Sequence, residues 1–213
     1  MTSAGLSYQT ICLRWRGPGV ASARRSFIAV TSVPIISSVT PSPGKARAWA
    51  VVNWHAGPLA EAVAAAAARG VAPPCAAQLP YSLVRRSWVE GAEMTEALRA
   101  AGAGVVASFC LEGGILSGKY LSGAAAGRAA ATLDDPRAAP AVAAAADLAS
   151  LAASVGTTAA ALALAFPFTN PRITSVLFGA TSPEQLRANC AAAGLLDRLS
   201  PGDVARLRQI GAA

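Results

Sequence analysis

The chain has 213 residues, enough for one domain with a real core. Charged residues make up 14% of it and apolar residues 54%, which excludes an intrinsically disordered chain, since disorder needs low hydrophobicity and high charge. The formal charge is +7, with Arg14, Arg16, Arg24, Arg25, Lys45 and Arg47 all preceding the first acidic residue, Glu61; these cations are too sparse, and too free of interleaved aromatics, for a nucleic-acid surface.

Residues 1–43 mix Ser, Thr, Pro and Arg with aperiodic apolar positions and read as an irregular leader, with Ser26–Val39 as a candidate strand. From residue 44 onward strand and helix alternate. Ala48–Asn53 is a short apolar run and reads as a strand. Pro58–Arg69 follows as a helix, with Pro58 suited to its first turn and Gly70 to its stop. Cys75–Leu79 is the next strand, Glu93–Ala101 a helix closed by Gly102, and Gly104–Phe109 a third strand. Residues 111–137 form a Gly/Ala-rich connection with little pattern. Ala141–Ser154 and Thr157–Phe166 read as helices and Ile173–Phe178 as the fourth strand. Ser182-Pro183-Glu184-Gln185 has capping-box spacing with Pro at the first helical position, and Ser200-Pro201-Gly202-Asp203 opens a last helix to about Ile210.

Buried-type strands, each followed by a helix, imply a parallel sheet with helical crossovers. Periodicity does not choose between a doubly wound sheet and part of a (β/α)8 barrel, and four strands are too few to close the latter. No G-x-G-x-x-G follows a strand, which argues against a Rossmann fingerprint.

The four cysteines, Cys12, Cys75, Cys110 and Cys190, are scattered, and His55 has no ligand-type neighbour. That pattern predicts buried thiols rather than a metal site. Leu148–Pro171 is long enough to span a membrane, but Gly156-Thr157-Thr158 interrupts it and prolines end it, so two short buried helices fit better. Arg14 and Arg16 interrupt any signal-peptide core, and a soluble cytoplasmic protein is expected.

Four blocks resemble one family in order and spacing. Gly44–Trp54 (GKARAWAVVNW) resembles G-K-x-R-x-x-G-V-S-N-W of the aldo-keto reductases, their fifth barrel strand. Ala77–Leu83 (AQLPYSL) resembles N-Q-x-x-Y-S-L, the sixth. Val105–Tyr120 (VVASFCLEGGILSGKY) is similar to V-x-A-Y-S-P-L-A-G-G-x-L-T-G-K-Y, the seventh and its loop. Ser175–Asn189 (SVLFGATSPEQLRAN) is similar to S-V-I-P-G-A-S-S-P-E-Q-L-x-E-N, the eighth strand and the helix after it. The motifs are nearest the branch that includes the β subunits of voltage-gated potassium channels.

The resemblance implies the C-terminal half of a (β/α)8 TIM barrel over residues 44–213, and NADP(H) as cofactor. Asn53 and Gln78 match nicotinamide carboxamide ligands, a task for side chains that both donate and accept, although each could instead cap a strand end. Ser108 and Phe109 fall where the family stacks an aromatic on nicotinamide, with the aromatic displaced by one; since side chains alternate along a strand, Phe109 need not reach the ring. Leu111, Gly113 and Lys119 match the loop over the pyrophosphate, and Gly179, Thr181, Gln185 and Asn189 the adenosine end at a helix N-terminus. Ser182 is expected to spend its hydroxyl on capping. Ala50 and Val52 depart from the family's Gly and Ser.

The family's Asp, Tyr, Lys and His come from its first four strands, and nothing in residues 1–43 matches them. The expectation is therefore a truncated oxidoreductase, inactive alone. The alternatives are a non-catalytic cofactor-binding or regulatory module, and one half of a two-chain or self-associated enzyme. A half barrel has an apolar inner face and two open sheet edges, which must be paired or covered.

Overall fold

The computed structural model describes residues 10–14, 28–30, 48–122, 127 and 129–212. Its centre is a parallel sheet of four strands, β3 (Trp49–Val52), β4 (Ala76–Pro80), β5 (Gly104–Ser108) and β6 (Ile173–Gly179), each joined to the next through helices. Both outer edges of this sheet are paired by short leader strands. The full order is β1-β6-β5-β4-β3-β2, with β1 (Thr10–Arg14) antiparallel to β6 and β2 (Ile28–Val30) parallel to β3. Strand β2 falls inside the predicted Ser26–Val39 run, and β1 lies in a stretch read as irregular. The rest of residues 1–43 lies outside the described residues.

The helices follow the sequence punctuation. α1 (Ala56–Ala68) and α3 (Ala92–Ala101) end where Gly70 and Gly102 take left-handed φ of 63° and 61°, a region a glycine enters without Cβ strain. α4 (Ala139–Ser154) buries Ala141, Ala144, Ala145, Leu148, Leu151 and Ala152, one stripe at helical spacing. α5 (Ala159–Ala165) is buried over most of its length and is capped by the Thr158 hydroxyl, which accepts from the Ala161 N–H. α4 and the apolar stretch Ala159–Thr169 bend by 101° to each other, and among the described residues no single helix is long and apolar enough to cross a membrane. α6 (Pro183–Ala191) and α7 (Pro201–Gln209) start at Ser182 and Ser200 as their capping spacing predicts. The sequence reading missed the single turn α2 (Ser87–Glu90), too short to show a period.

The two faces of the sheet differ. Val51, Ala77, Leu79, Val105, Ala107 and Val176 are sealed in the core. Gln78, Val106 and Ser175 on the opposite face are only half-buried, and register places them in one row with Val52. The architecture is a partial barrel in which helices cover one face of the parallel strands.

Two packed polar networks tie the loops after β4 to the rest. Tyr81, fully buried, donates its hydroxyl to Glu90 Oε1 at 2.5 Å, and Arg208 of α7 donates to the same oxygen at 2.9 Å. Arg86 and Arg208 lie over the Phe166 ring, and Arg86 also donates to the Ile210 carbonyl. In the second, Ser82 and Arg85 both donate to the Glu112 carboxylate.

Candidate functional site

A cleft of about 940 Å³ opens at the C-terminal ends of β4, β5 and β6. That is where ligands of parallel α/β sheets bind, because strand ends and helix starts present unpaired backbone groups there. Ten of the eleven residues singled out from the sequence line it: Gln78, Ser108, Phe109, Leu111, Gly113, Lys119, Gly179, Thr181, Gln185 and Asn189. Asn53 does not line it. It follows β3, exposed, with a left-handed φ of 56° that asparagine tolerates, and its backbone N–H donates to the Gln78 carbonyl at 2.9 Å.

Gln78 projects from the half-buried face of β4, in register with Val106 of β5. Beyond β5 the backbone leaves the extended region. Phe109 has φ 60°, Glu112 φ 47°, Gly113 φ 67° and Gly114 φ 98°. Alternation ends at this turn. The strand stops at Ser108, so Phe109 is not forced to the far side. Both residues line the cleft, and the Phe109 ring is 48% exposed, free to contact a ligand.

The same turn brings Gly113 and Gly114 against the cleft, where a Cβ on Gly114 would lie 3.2 Å from Lys119 Cε and 3.3 Å from its Nζ. The absence of a side chain there is what admits the lysine. Lys119 also lies over the Tyr120 ring, with 4.8 Å from Nζ to the centroid. It is the one charged residue among the described residues lining the cleft, and no carboxylate of those residues faces in. The nearby Glu112 is 6% exposed and turned away onto Ser82 and Arg85. The hydrogen bond from Arg85 to Glu112 holds the guanidinium pKa above its ordinary value.

The far end is the start of α6. Ser182 Oγ accepts from the Gln185 N–H at 3.2 Å, as its spacing predicts. Gln185 Oε1 in turn accepts from the Thr181 N–H and hydroxyl at 2.9 and 3.0 Å, so these two site residues hold each other in place. Asn189, one turn on, is nearly buried.

Sequence reasoning missed Cys110, Gly114, Ser117, Gly127, Ala160, Leu177, Phe178 and Ala180 in the lining. Gly114 and Ser117 stood inside the third matched block and were recoverable. Ala160 arrives from α5 and had no signal. Cys110 is buried and its thiol pushed up to about 12 by desolvation, so it is inert wall. Cys75 is half-buried, but Cys190 is exposed, against the expectation of buried thiols; its helix turns it outward. No His/Cys/Asp/Glu cluster among the described residues could hold a metal. His55 stacks on Trp88 with ring centroids 4.6 Å apart in a separate shallow hollow.

Parallel strands joined by helices, with a cleft at their carboxyl ends, define a partial (β/α)8 barrel. The chain belongs to the aldo/keto reductase family: residues 41–212 match the family model described as "Aldo/keto reductase family". It is 27% identical over 175 residues to the "Putative voltage-gated potassium channel subunit beta" of Schizosaccharomyces pombe, covering 78% of this chain and 51% of that protein. It is 38% identical over 119 residues to "Protein tas" of Escherichia coli, covering 53% of this chain and 33% of that one. The chain thus spans about half or less of the length of these curated relatives.

Proposed function

We propose that this chain is the NADP(H)-binding part of an aldo/keto reductase family oxidoreductase, and that it does not reduce carbonyls alone. The observation that supports this best is the convergence of ten sequence-predicted residues on one cleft whose described lining carries a cation and no acid. That chemistry suits a ligand with phosphates at its middle and polar rings at its ends. Gln78, with Ser108 and Phe109 beside it, would orient the nicotinamide end; Gly113, Gly114 and Lys119 would meet the pyrophosphate; Thr181, Gln185 and Asn189 would meet the adenosine end at the α6 N-terminus. Leu111 and Gly179 shape the walls. When bound, the cofactor would supply hydride for carbonyl reduction.

The proton the carbonyl needs must come from a positioned acid. No Tyr, His or Asp is among the described residues lining the cleft, which supports an inactive isolated chain. A second reading is favoured by the half-buried row of Gln78, Val106 and Ser175: the open face takes complementary barrel strands, from another chain or a second copy. Titration with NADPH, followed by tryptophan quenching and energy transfer, tests the proposal. Saturable micromolar binding without carbonyl-dependent oxidation is expected. No binding at millimolar cofactor refutes it, and robust turnover by the pure monomer refutes the inactivity.

A further inference from the structure

Resting on that reading of the cleft, we infer that Glu112 is a positioning residue: with Arg85 and Ser82 it latches the turn after β5 into a shape ready for the ligand before any ligand binds. The matched family block has alanine here, and this chain has a carboxylate. Glu112 adopts φ 47°, a conformation costly for a side-chain-bearing residue, and strain of that kind persists only where the surroundings over-determine it.

They do so here. Ser82 Oγ donates to Oε1 at 2.7 Å, Arg85 Nε to the same oxygen at 3.0 Å, and Arg85 Nη2 to Oε2 at 2.8 Å. The carboxylate is 6% exposed, so its charge is unscreened and the fork fixes its orientation. Ser82 and Arg85 form the turn after β4, with the Arg85 N–H donating to the Ser82 carbonyl at 3.2 Å. The latch therefore joins the loops of two neighbouring strands. Its flanking residues, Leu111 and Gly113, are cleft wall. The guanidinium that grips Glu112 also lies 5.3 Å from the centre of the Phe109 ring, on the cleft's rim, so one ion pair sets both the phosphate-side turn and the aromatic. A turn held this way need not be ordered by the ligand, so less of the binding energy is lost.

The test uses the full chain with E112G, which removes the carboxylate and relieves the positive φ, and R85K, which keeps the charge but not the fork. Two readouts are taken: backbone amide exchange over residues 109–116 without cofactor, and the NADPH dissociation constant. Exchange over that segment should rise roughly tenfold to a hundredfold in E112G, the range a lost charged hydrogen bond implies, and less in R85K, with the rest of the chain unchanged. NADPH affinity should fall in the same order. Unchanged exchange in both variants overturns the latch, whether or not the wild type binds NADPH. Raised exchange with unaltered NADPH affinity overturns its positioning role. A wild type that does not bind NADPH, while E112G still loosens the segment, refutes the cofactor reading and leaves the latch standing.

Discussion

Replacing Glu90 with alanine should destabilise the chain far more than loss of an exposed acid would, because one oxygen serves two donors. Tyr81 Oη lies 2.5 Å and Arg208 Nη2 2.9 Å from Glu90 Oε1. Tyr81 is fully buried and its hydroxyl proton loses its acceptor, while Asn170 and Arg208 still bond its oxygen, so the cost is about 1–2 kcal/mol. Arg208 is 36% exposed and still donates to Thr169, so water recovers most of its loss, leaving under about 1 kcal/mol. The sum is about 1–3 kcal/mol. Y81F keeps the ring in place and leaves Glu90 with Arg208, for about 1 kcal/mol. The double variant has no hydroxyl proton left without its acceptor, so it should cost about 1–2 kcal/mol less than the two single changes added. Urea unfolding followed by far-ultraviolet circular dichroism measures all three. Strict additivity, or an E90A cost below about 0.5 kcal/mol, refutes the claim that the shared oxygen is the hub.

The same hub predicts a pH dependence. Burial pushes the Glu90 carboxyl up, but hydrogen bonds from Tyr81 and Arg208 outweigh it and leave the pKa below its ordinary 4.5. The stabilisation is thus present above that value and lost as pH falls through the depressed one, so unfolding curves of wild type and E90A should approach each other in acid. Desolvation and the Glu90 hydrogen bond raise Tyr81 from 10.0 to about 12, so its contribution holds below pH 10 and is lost as pH rises through 12, which tyrosinate absorbance reports. G114A places a Cβ at φ 98° and 3.2 Å from Lys119 Cε; a cost of about 1 kcal/mol or more in stability, with weaker NADPH binding by titration, is expected. S182A removes the acceptor of the Gln185 N–H and should cost about 1 kcal/mol by thermal unfolding, while the Thr181–Gln185 pair persists.

The parts of the fold legible in sequence were those written in local chemistry. Ser182-Pro183 and Ser200-Pro201 gave helix starts to the residue, and Gly102 gave a helix end, because caps act within one turn. The four central strands came from short apolar runs within a residue or two of their ends. The features that sequence could not give were long-range or conformational. β1 pairs with β6, 169 residues away at the Thr10↔Gly179 pair, and no local pattern announces such a partner. The direction of Phe109 was left open, because alternation holds only while the backbone stays extended, and φ 60° ends it. Glu112 carried no signal in the sequence. Its burial depends on Arg85 and Ser82, some 30 residues earlier in another strand's loop.

On the proposed reading, the placement of the cleft separates binding from chemistry along the chain. Its walls come from β4, β5 and β6 and the segments just beyond their carboxyl ends, neighbours in both sheet and sequence, so the cleft assembles from residues 78–189 without a distant strand. Consecutive strands supply it, so on the proposed reading it can form in a chain spanning about half of its relatives' length. Among the described residues that line it, no Tyr, His or Asp offers a proton. On the proposed reading, acid groups must approach Gln78 from the open face that carries Val106 and Ser175, where polar and half-buried side chains still have surface to cover. Cofactor affinity should then survive in isolation while turnover waits on added strands, a division that binding and activity assays on one sample resolve directly.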